Sequence, residues 1–203
     1  PDAITVVATV QAGDPGDGTG QAAGPANAVV DEIRAMGGEA IANGEDVADW
    51  EGAGRLVRAT IEAFGGLDVV VNNAGILRDR MFVSSTVEEW DAVMNVHLRG
   101  HYCVSRHAAG YWRGQAKAGQ MPDARIINTS SGAGLQGSVG QANYSAANAC
   151  LDALSAYRHA HGCRSVSVQW GAWAEVGMAA RGAASERMAA MEAASAGGIG
   201  EQK

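Results

Sequence analysis

The chain has 203 residues, of which 47 % are hydrophobic and 18 % charged, the composition of a globular domain of one-domain size and not of a disordered segment. Its formal charge of −7 argues against nucleic acid and anionic membrane as partners, since both reward clustered Lys and Arg. No run approaches the ~20 apolar residues of a membrane span and no signal-peptide pattern opens the chain. Cys103, Cys150 and Cys163 are odd in number and lie in no Cys-x-x-Cys, which predicts reduced core thiols, a cytoplasmic protein and no metal site.

The hydrophobic period alternates between strand and helix along the chain. Ile4–Val10 is a β-branched run suited to a buried strand, Gly13–Gly24 a glycine-rich loop, and Pro25 sets the first turn of a helix to about Met36. Gly37-Gly38 ends it before a short strand, Glu39–Ala42. Ala48–Phe64 reads as an amphipathic helix closed by Gly65-Gly66, and Leu67–Val71 as a fully buried strand. Thr86 caps one long helix running to about Trp112. Arg125–Thr129 is a strand, Gln141–His161 a helix, Ser165–Trp170 a strand, and Ala183–Ala194 an Ala/Met/Glu helix. Strands separated by single helices predict right-handed crossovers and one α/β domain over 1–203, a doubly wound parallel sheet in three α/β/α layers.

Open sheets of this kind bind ligands beyond the carboxyl ends of their strands. Asn72-Asn73-Ala74-Gly75 follows a strand directly: Ala and Gly admit a ligand close to the backbone, and the Asn amides can tie strand ends together. Asp46-Val47 follows the preceding strand, where the Asp46 carboxylate either accepts from an adenine amino group or caps the next helix. Ser131 ends a strand and Tyr144 opens the following helix thirteen residues later, across a loop of Gly132, Gly134, Gly137 and Gly140. Carbonyl reduction needs a proton donor at oxygen as hydride reaches carbon, and a phenol beside a hydroxyl answers that need.

These residues together, with Tyr144-Ser-Ala-Ala-Asn148, resemble the short-chain dehydrogenase/reductase family over nearly the whole chain. Residues 1–147 resemble the (3R)-hydroxyacyl-CoA dehydrogenase of peroxisomal-type multifunctional enzymes, through Asn72–Arg80, Val96–Gly100 and Gly140–Ser145. Residues 148–203 resemble the ketoreductase domain of a polyketide synthase, through Ala149–Leu154, Val168–Trp173 and Val176–Met178. The resemblance implies a Rossmann-like fold and a cofactor, NADP or NAD, lying against Asn72–Gly75, Asp46 and Val47, with Trp170-Gly171 passing the nicotinamide. It implies that Ser131 orients the carbonyl and Tyr144 is the general acid, with a substrate lid helix at about 177–196. The substrate would be a 3-oxoacyl or 3-hydroxyacyl thioester on CoA or an acyl carrier protein, handled by a homo-oligomer or within a larger multidomain enzyme of fatty-acid or polyketide metabolism.

Two features depart from the family. Counting elements makes Ile4–Val10 the second strand of the fold, so the first βα unit, with its phosphate-binding glycine loop, and the last strand are both missing from the pattern. The lysine that lowers the phenol's pKa stands either four residues after the Tyr or on the preceding helix. Here those positions are Asn148 and His97, and the only lysines are Lys117 and Lys203. His97 either replaces part of the lost charge or is a helix histidine hydrogen-bonded near Ser131. Two functional readings follow: a short-chain oxidoreductase, or a catalytically weak or silent domain with a structural or interaction role.

Overall fold

The computed structural model describes residues 5–9, 23–162 and 165–170. The chain divides into two compact units, Pro1–Gln169 and Trp170–Lys203, and the elements described belong to the first, with the last strand ending at the boundary. The Gly13–Gly20 loop, Gly171 and the expected lid lie outside the described residues. Among the described residues no helix is long and apolar enough to cross a membrane.

Among the described residues, five strands and six α-helices follow in the order β1 (Thr5–Thr9), α1 (Ala23–Ala35), β2 (Glu39–Asn43), α2 (Trp50–Phe64), β3 (Val69–Asn72), α3 (Val87–Met94), α4 (His101–Lys117), β4 (Arg125–Ser131), α5 (Ala133–Gln136), α6 (Ala142–Ala160) and β5 (Val166–Trp170). β1 pairs parallel with β2, Thr5 opposite Glu39, and β3 pairs parallel with β4, Val69 opposite Arg125 and Asn72 opposite Asn128. The described strands form two hydrogen-bonded groups, β1-β2 and β3-β4-β5. With β1 taken as the fold's second strand, these are positions 3-2 and 4-5-6 of the doubly wound order 3-2-1-4-5-6. The interruption falls where the first strand of that order lies.

The core gathers where α2 and α4 cover β3. Val47, Leu56 and Val57 meet Val70, Cys103, Val104, Ala108 and Trp112, and the Trp112 indole N–H donates to the Leu67 carbonyl at 2.6 Å. Burying each of the larger apolar side chains contributes ~1.5–3 kcal/mol. β3 was expected to be buried on both faces, yet it alternates. Val70 and Asn72 point into the core, while Val69 and Val71 remain 47 % and 58 % exposed.

Local chemistry adjusts four other expectations. α2 begins at Trp50, not Ala48, because Asp49 is its cap: its carboxylate accepts from the Gly52 amide at 2.7 Å. Asp46, read as a cap or an adenine acceptor, is not the cap of α2: its Oδ1 accepts from the Ala48 amide at 2.8 Å, ahead of the helix. The single helix expected from Thr86 to Trp112 is two α-helices joined by a π-helical turn, Asn95–Gly100. Thr86 and Glu89 start it as a reciprocal capping box. The wide turn drives Val96, His97 and Gly100 inward, and Gly100 is seated on Val47, whose Cγ2 lies 3.0 Å from where a Cβ would be. Finally, the glycine loop after Ser131 contains α5. There the Ser131 hydroxyl accepts from the Ala133 amide at 3.2 Å, which starts the turn.

Gly134 of α5 lies against the backbone of α6: a Cβ would stand 2.9 Å from Ala149 N and 3.0 Å from Asn148 C. Backbone atoms cannot swing aside, so Gly134→Ala should cost ~1–3 kcal/mol of overpacking, against the ~1 kcal/mol that Ala gains over Gly in a helix. Urea unfolding is expected to show a net loss of stability; a gain would mean that α5 and α6 separate easily.

Candidate active site

The site is built on a buried amide. Asn72 ends β3 opposite Asn128 of β4, and both are nearly enclosed. The Asn72 side-chain NH2 donates to Asn128 Oδ1 at 2.8 Å and to Ser105 Oγ of α4 at 2.9 Å. Its donors are therefore spent on holding two strand ends and a helix together. Neither Asn128 nor Ser105 stood out in the sequence. The one available signal was an Asn directly after Ile126-Ile127 within a strand, since a polar side chain buried in a strand requires a partner.

Beyond Asn72 the chain leaves the sheet through Asn73, which is exposed, and Ala74, Gly75 and Ile76, which are partly buried. Two histidines lie against this loop. His97, from the π-turn, is buried, with Nε2 3.1 Å from the Ile76 amide and 3.0 Å from the Ile76 carbonyl. In one tautomer it accepts from the amide; in the other it donates to the carbonyl. His101, at the start of α4, donates from Nε2 to the Ala74 carbonyl at 3.3 Å, and its buried Nδ1 has no hydrogen-bond partner among the described residues. Gly75 admits no side chain, because a Cβ would lie 2.7 Å from His97 Cε1.

Tyr144 stands on the first turn of α6, its ring meeting the His97 ring edge-on at 5.1 Å between centroids. His97 therefore touches both the loop after β3 and the tyrosine. Asn143 orients this turn: its Oδ1 accepts from the Tyr144 amide at 2.8 Å, and its Nδ2 donates to the carbonyls of Arg78 and Glu89 at 3.4 and 3.3 Å. The rim is stitched further by Gln141, whose amide donates to Asp79, and by the Arg80 amide, which donates to the Gly140 carbonyl at 2.8 Å. Ser131, partly buried, sits at the end of β4. Asn148 lies one turn beyond Tyr144 and is 1 % exposed; its Nδ2 donates to the Tyr144 carbonyl at 2.8 Å within the helix.

Val47 is a core side chain against Gly100, so any contact it makes with a cofactor falls to its backbone. Asp46 is exposed and Trp170, in β5, is 47 % exposed. Lys117, the one lysine among the described residues, is exposed in the last turn of α4. Among the described residues no cluster of His, Cys, Asp or Glu is arranged to hold a metal ion.

Burial pushes the pKa of His97 below its ordinary value and that of His101 down to about 4; the facing imidazole of His97 adds a small repulsion to the second. The unfolded chain, whose histidines protonate near pH 6.5, thus binds more protons than the native one between that pH and about 4. Stability is full above pH 6.5 and falls as pH drops through this window. His101 alone withdraws on the order of 3 kcal/mol. Urea unfolding at pH 7.0, 5.5 and 4.5 is expected to show that fall, with a shallower slope for His101→Gln. A flat profile would mean that the imidazoles are hydrated.

The KR-domain family matches residues 18–175 of the chain. Hydroxyacyl-CoA dehydrogenase ChsB1 of Mycobacterium tuberculosis is 51 % identical over 136 residues, 64 % of this chain and 43 % of its own length. A 3-oxoacyl-[acyl-carrier-protein] reductase of Synechocystis is 43 % identical over 129 residues, 64 % of this chain and 50 % of its own. A crystal structure of a short chain dehydrogenase from Mycobacterium avium superposes with a TM-score of 0.67 at 56 % identity, covering 72 % of this chain and 53 % of that one. The chain thus spans about half of the length of these relatives. A match over more than half of the chain, joined to the strand order and the loops described above, makes it a member of the KR-domain family of short-chain dehydrogenases/reductases.

Proposed function

We propose that the chain forms the substrate and nicotinamide end of an oxidoreductase that reduces a 3-oxoacyl thioester, or oxidises a 3-hydroxyacyl thioester, carried on CoA or an acyl carrier protein. The observation that carries this reading is the contact of His97 with both Ile76 and Tyr144, which sets the phenol beside the loop after β3. Ala74 and Gly75 place no side chain larger than a methyl there, which suits the close approach of a flat ring. NADP or NAD, when bound, supplies or accepts the hydride. Tyr144 donates the proton to the carbonyl oxygen, and the Ser131 hydroxyl orients that oxygen while its lone pair holds the Ala133 amide. Around the mouth, Met81, Phe82, Val83, Leu135 and Val139 are 59–92 % exposed, and the Arg80–Gly140 hydrogen bond joins the two loops that carry them. Such an apolar rim suits an acyl chain better than a small polar substrate. The names of the relatives, a hydroxyacyl-CoA dehydrogenase and a 3-oxoacyl reductase, support the same substrate class. Assembly within a homo-oligomer or a larger multidomain enzyme of fatty-acid or polyketide metabolism, in the cytoplasm, accords with that class.

A second reading, a catalytically weak domain with an interaction role, is favoured by one observation. At the helix position where the family carries its lysine, the Asn148 amide is spent on the Tyr144 carbonyl. Turnover by this chain is accordingly expected to be slow. The deciding experiment follows NADPH and NADH oxidation with acetoacetyl-CoA, for this chain and for Tyr144→Phe. The oxidoreductase reading expects measurable turnover that falls by ~10²–10⁴-fold in the variant. Dinucleotide binding without turnover would favour the weak-domain reading, and turnover unchanged in Tyr144→Phe would remove the tyrosine from its role.

A further inference from the structure

We propose that the open edge of β3, with the apolar face that carries Val69 and Val71, is a docking site for a strand–loop–helix segment of a partner polypeptide, and that the docked segment completes the dinucleotide site. The second half rests on the dinucleotide reading above; the first rests on the sheet alone. Among the described residues β3 is hydrogen-bonded to β4 only and β1 to β2 only, so each presents an open edge. In the doubly wound order these two edges flank one interior position, not the margin of the sheet.

Helices ordinarily cover both faces of a parallel sheet. One face of β3 meets this rule, because Val70 lies in the core with residues of α2 and α4. The other face does not. Val69 and Val71 are 47 % and 58 % exposed, and Val71 stands in register with Ile127 of β4, which puts Ile127 on that same face. An unpaired edge and an uncovered apolar face thus coincide on one strand in the interior of the strand order.

Together they fix the chemistry of the occupant. The edge calls for an extended segment, since a row of strand amides and carbonyls pairs with another strand. The valine face calls for an apolar cover, and a strand that runs parallel to its neighbours returns over the sheet through a helix. The turn between that strand and that helix comes out at the carboxyl end of β3, beside Asn73, Ala74 and Gly75. A glycine-rich turn there, ahead of a helix N-terminus, offers its amides to a pyrophosphate. The relatives carry about as much chain outside the matched stretch as within it, so a further segment of this size is in keeping with them. Dinucleotide affinity then depends on the concentration of the partner, and the cofactor site is assembled on contact.

The test adds to the full chain a designed peptide: a Val/Ile strand, the turn Gly-x-Gly-x-x-Gly and an amphipathic helix. Controls are a scrambled peptide and one with its three glycines changed to alanine. The readouts are hydrogen exchange across Val69–Asn72, peptide affinity by fluorescence anisotropy, NADPH affinity by fluorescence titration, and oligomeric state by size-exclusion chromatography. The designed peptide should slow exchange across β3 by at least about tenfold, the worth of one hydrogen bond, and the scrambled one should not. Val69→Thr/Val71→Thr keeps the β-branched shape on a largely exposed face, so its own urea unfolding should match the parent. It should bind the peptide about tenfold more weakly, because two methyl groups lose their apolar burial. NADPH affinity should rise with the glycine peptide and not with the alanine one. Protection of β3 with no gain in NADPH affinity would count against the dinucleotide reading and leave the docking site standing. No protection of β3, equal affinity in the Thr variant, or protection by self-association in the absence of peptide would overturn the proposal.

Discussion

Asn72 donates to Asn128 Oδ1 and to Ser105 Oγ, and through those two bonds the ends of β3 and β4 and the flank of α4 are held at one point. Much of the candidate site leaves the fold within a few residues of that point. The loop Asn73–Ile76 departs directly from Asn72. Ser131 follows Asn128 by three residues, and the histidines come from the turn and helix that lead to Ser105. An amide in an apolar setting is costly unless its hydrogen bonds are made, about 1–3 kcal/mol for each buried group left unpaired. The arrangement is therefore strongly specified: any slip of β3 against β4 would separate the pair and expose that cost.

The same economy of satisfied polar groups extends outward. Asn143 orders the turn that bears Tyr144, Gln141 and Asp79 join the loops above it, and the Arg80–Gly140 bond closes the rim. Glu89 serves two partners, the Thr86 amide in the capping box and the Arg80 guanidinium, whose proximity holds the Glu89 carboxyl below its ordinary pKa. The candidate site is thus carried on short, mutually bonded segments, not on long free loops. Its interior is electrically quiet: burial keeps His97 and His101 neutral. A neutral His97 supplies no cation to Tyr144, which separates its role from that of the lysine its position would carry in a ketoreductase.

How far this was legible in the sequence can be argued from particular residues. Asn72–Gly75, Ser131 and Tyr144 announce themselves because strand ends in an α/β pattern are where ligands bind, and those residue types suit the chemistry. The strands and most helices follow from period and punctuation. The π-turn Asn95–Gly100 was not legible, since its residues continue the helical period and the extra residue is placed by contacts far along the chain, Gly100 on Val47 and Arg99 on the Ala48 carbonyl. His101 was invisible for the same reason, because its partner, Ala74 O, is a backbone atom. Asp46 and Asp49 both precede α2, and composition alone could not choose the cap between them. The alternating exposure of Val69 and Val71 was hidden because a β-branched run looks the same whether one face or both are covered.

The claim on which the account depends is that the Asn72–Asn128 pair fixes the strand ends beneath the site. A double-mutant cycle tests it most directly: urea unfolding of Asn72→Ala, Asn128→Ala and the double variant. Each single change strands a buried partner, whereas the double change removes both groups together. The account predicts a coupling of about 0.5–3 kcal/mol, with the double variant more stable than the sum of the single losses implies. Strict additivity, with no coupling, would show that the two amides are independently solvated and would contradict it.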